Sequence, residues 1–376
     1  MIKDAAILTG NEVAWERSRL PEKGENSVSR KLAICLLLVA LLMTSFVGGC
    51  RKAPEVAKIT VGWSTDNTTD PWRRHQAERG QRALEAKGYE VILTDATGST
   101  SKQIADIEDL MTRKVDLIMV SPRDEKGLQD VLARAYQQGT PVVLVDRMIG
   151  GDQWTAAVIG DNYEIGKLTG AFMAKALNYK GGVVVIEGLP GTTTAIQRKE
   201  GFADELAKYP DIKILGSQPG NYAKADSTTV MENFIVAFGD RIAGVYAPSA
   251  NMGFGALIAL ENAKIDPSTI VICSVDGEIA EIKAVADGKF ASTVQYSNCV
   301  DVAAEVVYRI LNEQEYPEVL KMMGVFISKD NAASLYKEGA FTLDDVVWEP
   351  GTWSLEDVVA RSKVLTKAEW LAEQGQ

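Results

Sequence analysis

The chain has 376 residues, of which 46% are hydrophobic, and a formal net charge of −11. An acidic chain is repelled by a phosphate backbone, so nucleic acid is excluded as a partner. The length exceeds what one hydrophobic core usually serves, which predicts two lobes. A single histidine excludes a histidine metal cluster and weakens any Ser/His or Cys/His mechanism. We therefore expect no enzymatic activity, no cofactor and no metal.

An apolar run over residues 32–47 follows a basic pair and ends shortly before Cys50. It is too short for a comfortable bilayer span and predicts a secretory signal. The small residues before Cys50 and the polar stretch after it resemble the lipobox of bacterial lipoproteins, which implies lipidation of Cys50. A signal anchor, or a cysteine buried at the end of a core helix, is the alternative. We predict a signal peptide over 1–49, a lipidated linker over 50–57, and a location outside the cytoplasm with a lipid anchor in the membrane.

The first 29 residues are long and of mixed charge for the start of a signal peptide. Translation that begins at Val28 would explain this, and residues 1–27 would then not be translated. Peptide mapping of the unprocessed precursor tests this hypothesis, since a peptide from before Val28 would exclude it.

From residue 59 onward, continuous apolar runs alternate with amphipathic segments. In the first half they predict strands over 59–63, 89–93, 115–120 and 141–145, and helices over 70–87, 102–111 and 128–138. In the second half they predict strands over 182–186, 212–215, 244–246, 270–273 and 291–295, and helices over 164–177, 194–208, 224–237, 253–262, 279–287 and 301–311. Strands that are apolar throughout are buried on both faces. The pattern predicts an α/β fold with two doubly wound parallel-sheet lobes.

Ligands of open α/β sheets collect at the carboxyl ends of the strands, and polar, charged or aromatic residues follow most of the predicted strands here. The candidate ligand-binding residues are Asp70, Trp72, Arg73, Asp146, Arg147, Arg198, Tyr222, Ser249, Asn251, Asp276, Gln295 and Tyr296. Carboxylates accept hydrogen bonds from paired hydroxyls, arginine donates in one plane, and an aromatic ring covers the C–H face of a sugar. The combination indicates a carbohydrate site.

The chain resembles the ribose-binding-protein-like type I periplasmic binding proteins of sugar ABC transporters over residues 59–336. The segments that carry the resemblance are DPWRR, PVVLVDR, GDNYEIGKLTG, EGLPGTTTAIQRKEGF, GSQPGNY, GFGALIALENA, CSVDG and DGKFASTVQY. The resemblance implies that Trp72 and Tyr222 stack on a sugar and that Asp146, Arg147, Arg198 and Asp276 bind its hydroxyls. It also implies a monosaccharide ligand, an ABC permease as partner, and a monomer.

The same resemblance implies where the lobes begin and end. The N-terminal lobe is expected over 58–160 and 297–324, and the C-terminal lobe over 161–296 and 325–345. A three-crossing hinge is expected near residues 160, 296 and 324. A tail of short helices is expected over 346–376, because capping signals occur at 354–357 and 366–369.

Three departures from the family pattern bear on the ligand. Trp72-Arg73 replaces two aromatic residues, which puts a cation where a stacking ring is usual. Ser249-Ala250 stands where Asn and often Asp occur, and Tyr296 rather than Gln295 falls at the family's glutamine position. These changes argue against ribose itself. They suit the subgroup that takes other sugars, including furanose forms, and an additional arginine would also suit an acidic sugar.

Several alternatives remain open from the sequence. Trp72 could pack under its own helix, Asp146-Arg147 could be a local salt bridge, and Asp276-Gly277 could be a turn. Cys273 and Cys299 are expected to be buried thiols, although a disulfide between them is permitted outside the cytoplasm. A sugar or signal-molecule sensor that reports to a chemoreceptor or histidine kinase is the alternative to transport.

Overall fold

The computed structural model describes residues 58–335 and 355–375. The predicted signal peptide, Cys50 and its linker lie outside the described residues, as does the end of the predicted C-terminal lobe. No helix within the described ranges is long and apolar enough to cross a membrane.

The described chain forms two sheets, each flanked by helices. The first sheet has seven strands and the second has six. Strand pairing is parallel in both sheets except for one antiparallel pair at an edge of each. This architecture confirms the predicted fold class of two doubly wound, mostly parallel lobes.

The N-terminal lobe contains the first sheet and the helices that pack on it. Its strands are β1 (Thr60–Thr65), β2 (Glu90–Asp95), β3 (Leu117–Val120), β4 (Val142–Asp146), β5 (Ala156–Gly160), β11 (Val319–Met322) and β13 (Lys363–Leu365). Its helices are α1 (Pro71–Ala86), α2 (Thr100–Thr112), α3 (Gln129–Gln137), α9 (Val300–Leu311), α11 (Leu355–Arg361) and α12 (Lys367–Glu373).

The C-terminal lobe contains the second sheet. Its strands are β6 (Gly181–Glu187), β7 (Ile212–Pro219), β8 (Ile242–Ala247), β9 (Val271–Ser274), β10 (Ser292–Gln295) and β12 (Val325–Ser328). Its helices are α4 (Asn162–Ala176), α5 (Thr193–Leu206), α6 (Lys224–Phe238), α7 (Ala250–Asn262), α8 (Ile279–Ala286) and α10 (Lys329–Leu335). Two short 3₁₀ turns, Gly239–Arg241 and Pro267–Thr269, precede β8 and β9.

The strand order is β13-β11-β5-β4-β3-β1-β2 in the first sheet and β12-β10-β9-β8-β6-β7 in the second. The antiparallel pairs are β12 with β10 and β13 with β11.

Continuous burial of the central strands explains why helices cover both faces of the first sheet. Every residue of β3, β4 and β5 is buried. Met119 and Val143 belong to one apolar cluster, whereas their chain neighbours Ile118 and Val142 belong to another on the opposite face. Alternate residues of a strand point to opposite faces, so an unbroken apolar run fills both clusters.

Helix α1 begins where its capping signals place it. The Asp70 carboxylate accepts a hydrogen bond from the Arg73 backbone N–H at 2.9 Å, and Pro71 occupies the first helical position. The aspartate satisfies a backbone donor that the helix leaves open, and proline lacks that donor. Asp70 is thereby held at the carboxyl end of β1.

The chain passes between the two sheets at three places within the described residues. It crosses from β5 to α4 at residues 160–162, from β10 to α9 at residues 295–300, and from β11 to β12 at residues 322–325. Each crossing is short. Such connections let two lobes rotate as units while the backbone change is confined to a few residues.

Some elements differ from the sequence prediction. Strands β5, β11, β12 and β13 were not predicted, and the tail contains β13 in addition to its helices. Strand β7 continues to Pro219 rather than ending near residue 215, because an edge strand can expose polar residues such as Ser217 and Gln218. Cys273 and Cys299 are buried and are not joined by a disulfide, as expected.

Candidate functional site

A cavity of about 610 Å³ lies at the carboxyl ends of strands from both sheets. The N-terminal lobe contributes Asp66, Asn67, Thr69, Asp70, Pro71, Trp72, Arg73, Arg123, Asp146 and Arg147. The C-terminal lobe contributes Leu189, Thr194, Arg198, Asn221, Tyr222, Ala223, Lys224, Ser249, Asn251 and Asp276, and Tyr296 comes from the second crossing. The volume lies within the range of small-molecule sites.

Two buried ion pairs form the N-terminal wall of the cavity. The Arg73 guanidinium lies 2.6 Å from the Asp146 carboxylate, and the Arg147 guanidinium lies 2.6 Å from the Asp66 carboxylate. Arg73 also donates to Gln76 at 2.9 Å and to Ser121 at 3.1 Å. These contacts fix both guanidinium groups, so the wall presents charge in a set geometry.

Tyr296 joins the N-terminal wall to the aromatic part of the site. Its hydroxyl donates to the Asp146 carboxylate at 2.6 Å, and its ring stacks on Trp72 with centroids 5.8 Å apart. The Arg198 guanidinium lies over the Tyr296 ring, 4.4 Å from its centroid. Tyr296 of the second crossing therefore contacts Trp72 and Asp146 of one lobe and Arg198 of the other.

Arg198 organises the C-terminal wall. It donates to the Asn162 side chain at 2.9 Å and to the Pro248 carbonyl at 2.7 Å, and it lies 3.6 Å from the Asp276 carboxylate. The other carboxylate oxygen of Asp276 accepts from the Ala250 backbone N–H at 3.0 Å, at the start of α7. A carboxylate there is stabilised by the helix N-terminus as well as by the arginine.

Hydrogen bonds join the two lobes across the cleft. The Asn251 amide donates to the Asp70 carboxylate at 2.6 Å. The Met148 backbone N–H donates to the Thr193 hydroxyl at 3.1 Å, and the Glu125 backbone N–H donates to the Gly191 carbonyl at 3.1 Å. The lobes are therefore in contact around the cavity.

Carboxylates of the two walls differ in acidity. Burial opposes ionisation of Asp146 and Asp66, but neighbouring arginines outweigh it and lower the pKa of both. On the other wall, burial raises the pKa of Asp276 to about 7 against the opposing effect of Arg198. Burial, with the nearby Asp276, also raises the pKa of Glu278 to about 8. Near neutral pH, Asp66 and Asp146 are therefore ionised, whereas Asp276 titrates.

Several cavity residues have unusual backbone conformations. Asp146, Asn221 and Tyr222 have φ values of 68°, 56° and 58°, and Asp276 has a φ of 119°. Such conformations cost free energy for residues with a side chain, and the surrounding structure must hold them. They occur here at strand ends where side chains must turn into the cavity.

A family model described as a periplasmic binding protein domain matches residues 61–315. The chain belongs to the periplasmic binding protein family. Membership in this family implies a location outside the cytoplasm and a solute-binding rather than an enzymatic role. Among the described residues, no group of His, Cys, Asp and Glu is arranged to hold a metal ion.

Relatives of this periplasmic binding protein match it over most of their length. The ribose import binding protein of Escherichia coli (strain K12) is 27% identical over 300 residues, which is 78% of this chain and 98% of that protein. The galactofuranose-binding protein of the same organism is 30% identical over 291 residues, 75% of this chain and 92% of that protein.

A solved structure shares the fold. The binding protein of an arabinose ABC transporter from Shewanella sp. ANA-3, bound to α- and β-L-arabinofuranose, is 29% identical. It superposes with a TM-score of 0.70 over 73% of this chain and 93% of that one. The two-lobed architecture of this binding protein is thus shared with a protein whose structure holds a furanose sugar.

The structure brings together all but one of the sequence-predicted site residues. Gln295 is buried at the end of β10 but does not line the cavity, and it lies against Gly277 instead. Its neighbour Tyr296 lines the cavity. Adjacent residues at a strand end point to opposite sides, so only one of the two can face the ligand space.

Other lining residues were not among the predicted ones. The polar and charged members of this group are Asp66, Asn67, Thr69, Arg123, Thr194, Asn221 and Lys224. Asp66 directly follows β1, so the strand-end rule applied one residue after the strand would have found it. Trp72 lines the cavity, and its ring also stacks on Tyr296 of the second crossing.

Proposed function

We propose that this binding protein captures a neutral monosaccharide between its lobes and delivers it to an ABC permease. The observation that carries the proposal is the set of three arginine–carboxylate pairs on the two walls of the cavity, beside the stacked Trp72 and Tyr296 rings. Asp146, Arg147, Arg198 and Asp276 are the proposed partners of sugar hydroxyls. Trp72 and Tyr222 are the proposed surfaces for the ring.

The pairing of each buried arginine with a carboxylate favours a neutral ligand over an acidic sugar. Arg73 is paired with Asp146, Arg147 with Asp66, and Arg198 with Asp276. A ligand carboxylate placed among these pairs would compete with carboxylates already present. A hydroxyl both donates and accepts, so it can bridge a guanidinium and a carboxylate without changing the charge.

The proposed sugar is a pentose or a furanose-form sugar. Relatives are named for ribose and galactofuranose, and the solved neighbour holds arabinofuranose. Trp72 and Arg73 are packed together, with the Arg73 guanidinium 4.8 Å from the Trp72 ring centroid. A compact five-membered ring with projecting hydroxyls suits a wall that offers one aromatic surface and one cation.

We expect the two lobes to close on the ligand, because the residues that line the cavity are divided between them. Each lobe carries part of the lining, and the crossing residue Tyr296 contacts both parts. A sugar that touches both walls binds the closed arrangement better than an open one, and it shifts the population by that difference in affinity. The closed, loaded form is the one we propose the permease receives.

We further propose that a lipid at Cys50 anchors the protein to a membrane. The apolar segment before Cys50 and the polar linker after it support this proposal. A lipid anchor keeps a binding protein near its permease without a membrane-spanning helix. Mass spectrometry of the mature N-terminus tests it, since an unmodified Cys50 in the mature protein would exclude the anchor.

A thermal-shift screen tests the sugar assignment. Pentoses, hexoses, polyols, sugar acids, amino acids and nucleosides are added to the purified protein, and a ligand of the native state raises the melting temperature. We expect at least one neutral sugar to raise it and the corresponding sugar acid to do less. A response only to amino acids or nucleosides would exclude a sugar ligand, and a stronger response to sugar acids would exclude a neutral one.

A further inference from the structure

The C-terminal helix α12 is fixed to the N-terminal lobe by several contacts. Strand β13 pairs antiparallel with β11, and the Trp370 side chain of α12 is buried in an apolar cluster of that lobe. The Lys367 ammonium donates to the Asp152 carbonyl at 3.0 Å and also to the Trp154 carbonyl. Helix α12 therefore moves with the N-terminal lobe.

The far side of α12 faces the C-terminal lobe. Trp370 and Gln374 line a small cavity of about 80 Å³ together with Ile196, Gln197 and Glu200, which lie on α5. The same cavity is lined by Glu125, Met148 and Thr193, which take part in the hydrogen bonds that join the lobes. Helix α12 thus lies beside the direct contacts that exist only while the lobes are together.

A charge link connects α12 to the first crossing as well. The Lys321 ammonium, nearly buried on β11, lies 3.5 Å from the Glu373 carboxylate of α12 and 3.3 Å from the Asp161 carboxylate. Asp161 directly follows β5 and caps α4, the first helix of the C-terminal lobe. One lysine is shared between the tail and the start of the other lobe.

We propose that α12 acts as a clamp between the lobes, and that Trp370, Glu373 and Ile196 are positioning residues that favour the closed arrangement. Glu373 holds the helix in place through Lys321 and Lys363. The half-exposed Ile196 is the apolar residue of α5 that lines the small cavity opposite Trp370 of α12. No residue of α12 lines the large cavity proposed for the sugar. The clamp is therefore expected to change the closing equilibrium without changing the ligand contacts.

Amide hydrogen exchange of the ligand-free protein tests the clamp. The N–H groups of Glu125 and Met148 are protected by acceptors in the other lobe, so they exchange when the lobes separate. We expect Ile196→Ala and Glu373→Gln each to speed exchange at these two amides by about threefold to tenfold, the range of a modest coupling between contacting residues. Exchange in the buried strand β6 is expected to stay unchanged.

Two matched variants separate clamping from a general loss of stability. Ile258→Ala removes the same atoms from α7, where Ile258 is also half-exposed. Glu356→Gln removes a tail carboxylate whose partner is Arg309 of α9, within the N-terminal lobe. Neither control is expected to change exchange at Glu125 or Met148. The proposal is wrong if the test variants leave these amides unchanged, or if the controls speed their exchange equally. The readout needs no ligand, so it is independent of the sugar assignment.

Discussion

Arg198 is the residue on which the C-terminal wall of the site depends. Its guanidinium is almost fully buried and contacts Asn162, Pro248 and Asp276. Removing one partner of a buried ion pair leaves the other charge uncompensated, which costs more than the pair itself contributes. Arg198 therefore contributes to folding as well as to the proposed sugar binding, and an experiment must separate the two.

We expect Arg198→Met to lower the free energy of unfolding at pH 8 by about 3–5 kcal/mol, as for other broken buried pairs. Adding Asp276→Asn should recover part of that loss, because it removes the carboxylate left without its arginine. Urea unfolding of both variants measures this. A double variant as unstable as Arg198→Met would show that Asp276 does not depend on Arg198.

Because acidic groups beside the site have raised pKa values, we expect the free energy of unfolding to depend on pH. Burial raises the pKa of Asp276 to about 7 and of Glu278 to about 8, and burial also raises the pKa of Glu281 well above its usual range. Between about pH 4 and these values, the folded protein binds more protons than the unfolded chain. The stabilisation is complete below about pH 4 and is lost as the pH rises through the folded values.

Stability should therefore fall from pH 5 to pH 8 in the ligand-free protein, by at most about 1.4 kcal/mol per pH unit for each group. Urea unfolding at several pH values measures the slope, and Glu278→Gln should make it shallower. Asp66 and Asp146 act in the opposite sense, since arginines lower their pKa, and their contribution is lost only as the pH falls below about 4. A stability that is flat or rises between pH 5 and pH 8 would contradict this account.

At the scale of elements, the first crossing depends on a glycine. A Cβ atom at Gly160, the last residue of β5, would overlap the Tyr296 ring. Tyr296 cannot move freely, because its hydroxyl bonds Asp146 and its ring lies beside Trp72 and Arg198. The end of β5 and the start of the second crossing therefore fit together only with glycine at this position.

Gly160→Ala is expected to lower stability by about 1–3 kcal/mol through overpacking and to weaken sugar binding at least tenfold by displacing Tyr296. Calorimetric titration and thermal unfolding measure the two effects. Gly80→Ala in α1 is the control, because its Cβ would lie 3.1 Å from the nearest atom, Trp63 Nε1, away from the cavity. Unchanged binding in Gly160→Ala would show that the Tyr296 position is not needed.

How far the elements could be predicted depended on their local pattern. Strands β3 and β4 are apolar throughout and lie between strong helix signals, so their place in a buried sheet was predictable. Strands β11 and β13 have four and three residues, each with a lysine, and they pair across more than 40 positions of the chain. The local sequence gives no signal for such strands, because their pairing is decided by tertiary packing.

At the scale of the whole molecule, the site was predictable because the carboxyl ends of the parallel strands lie together at one edge of each sheet. Asp146, Arg147 and Asp276 were identified by their position after apolar strands, with no knowledge of distances. The pairing of Arg73 with Asp146 and of Arg147 with Asp66 was not predictable, because it joins residues far apart in sequence. That pairing is the reason we propose a neutral sugar, where the sequence alone left an acidic sugar open as well.

The central claim is that one sugar ring lies between the two lobes and contacts both walls. A crystal structure of the protein with the sugar that gives the largest thermal shift tests it most directly. We predict a single ring in the cavity, with hydroxyls within hydrogen-bonding distance of Asp146 or Arg147 on one lobe and of Arg198 or Asp276 on the other. A sugar bound to one lobe only, or outside this cavity, would contradict the account.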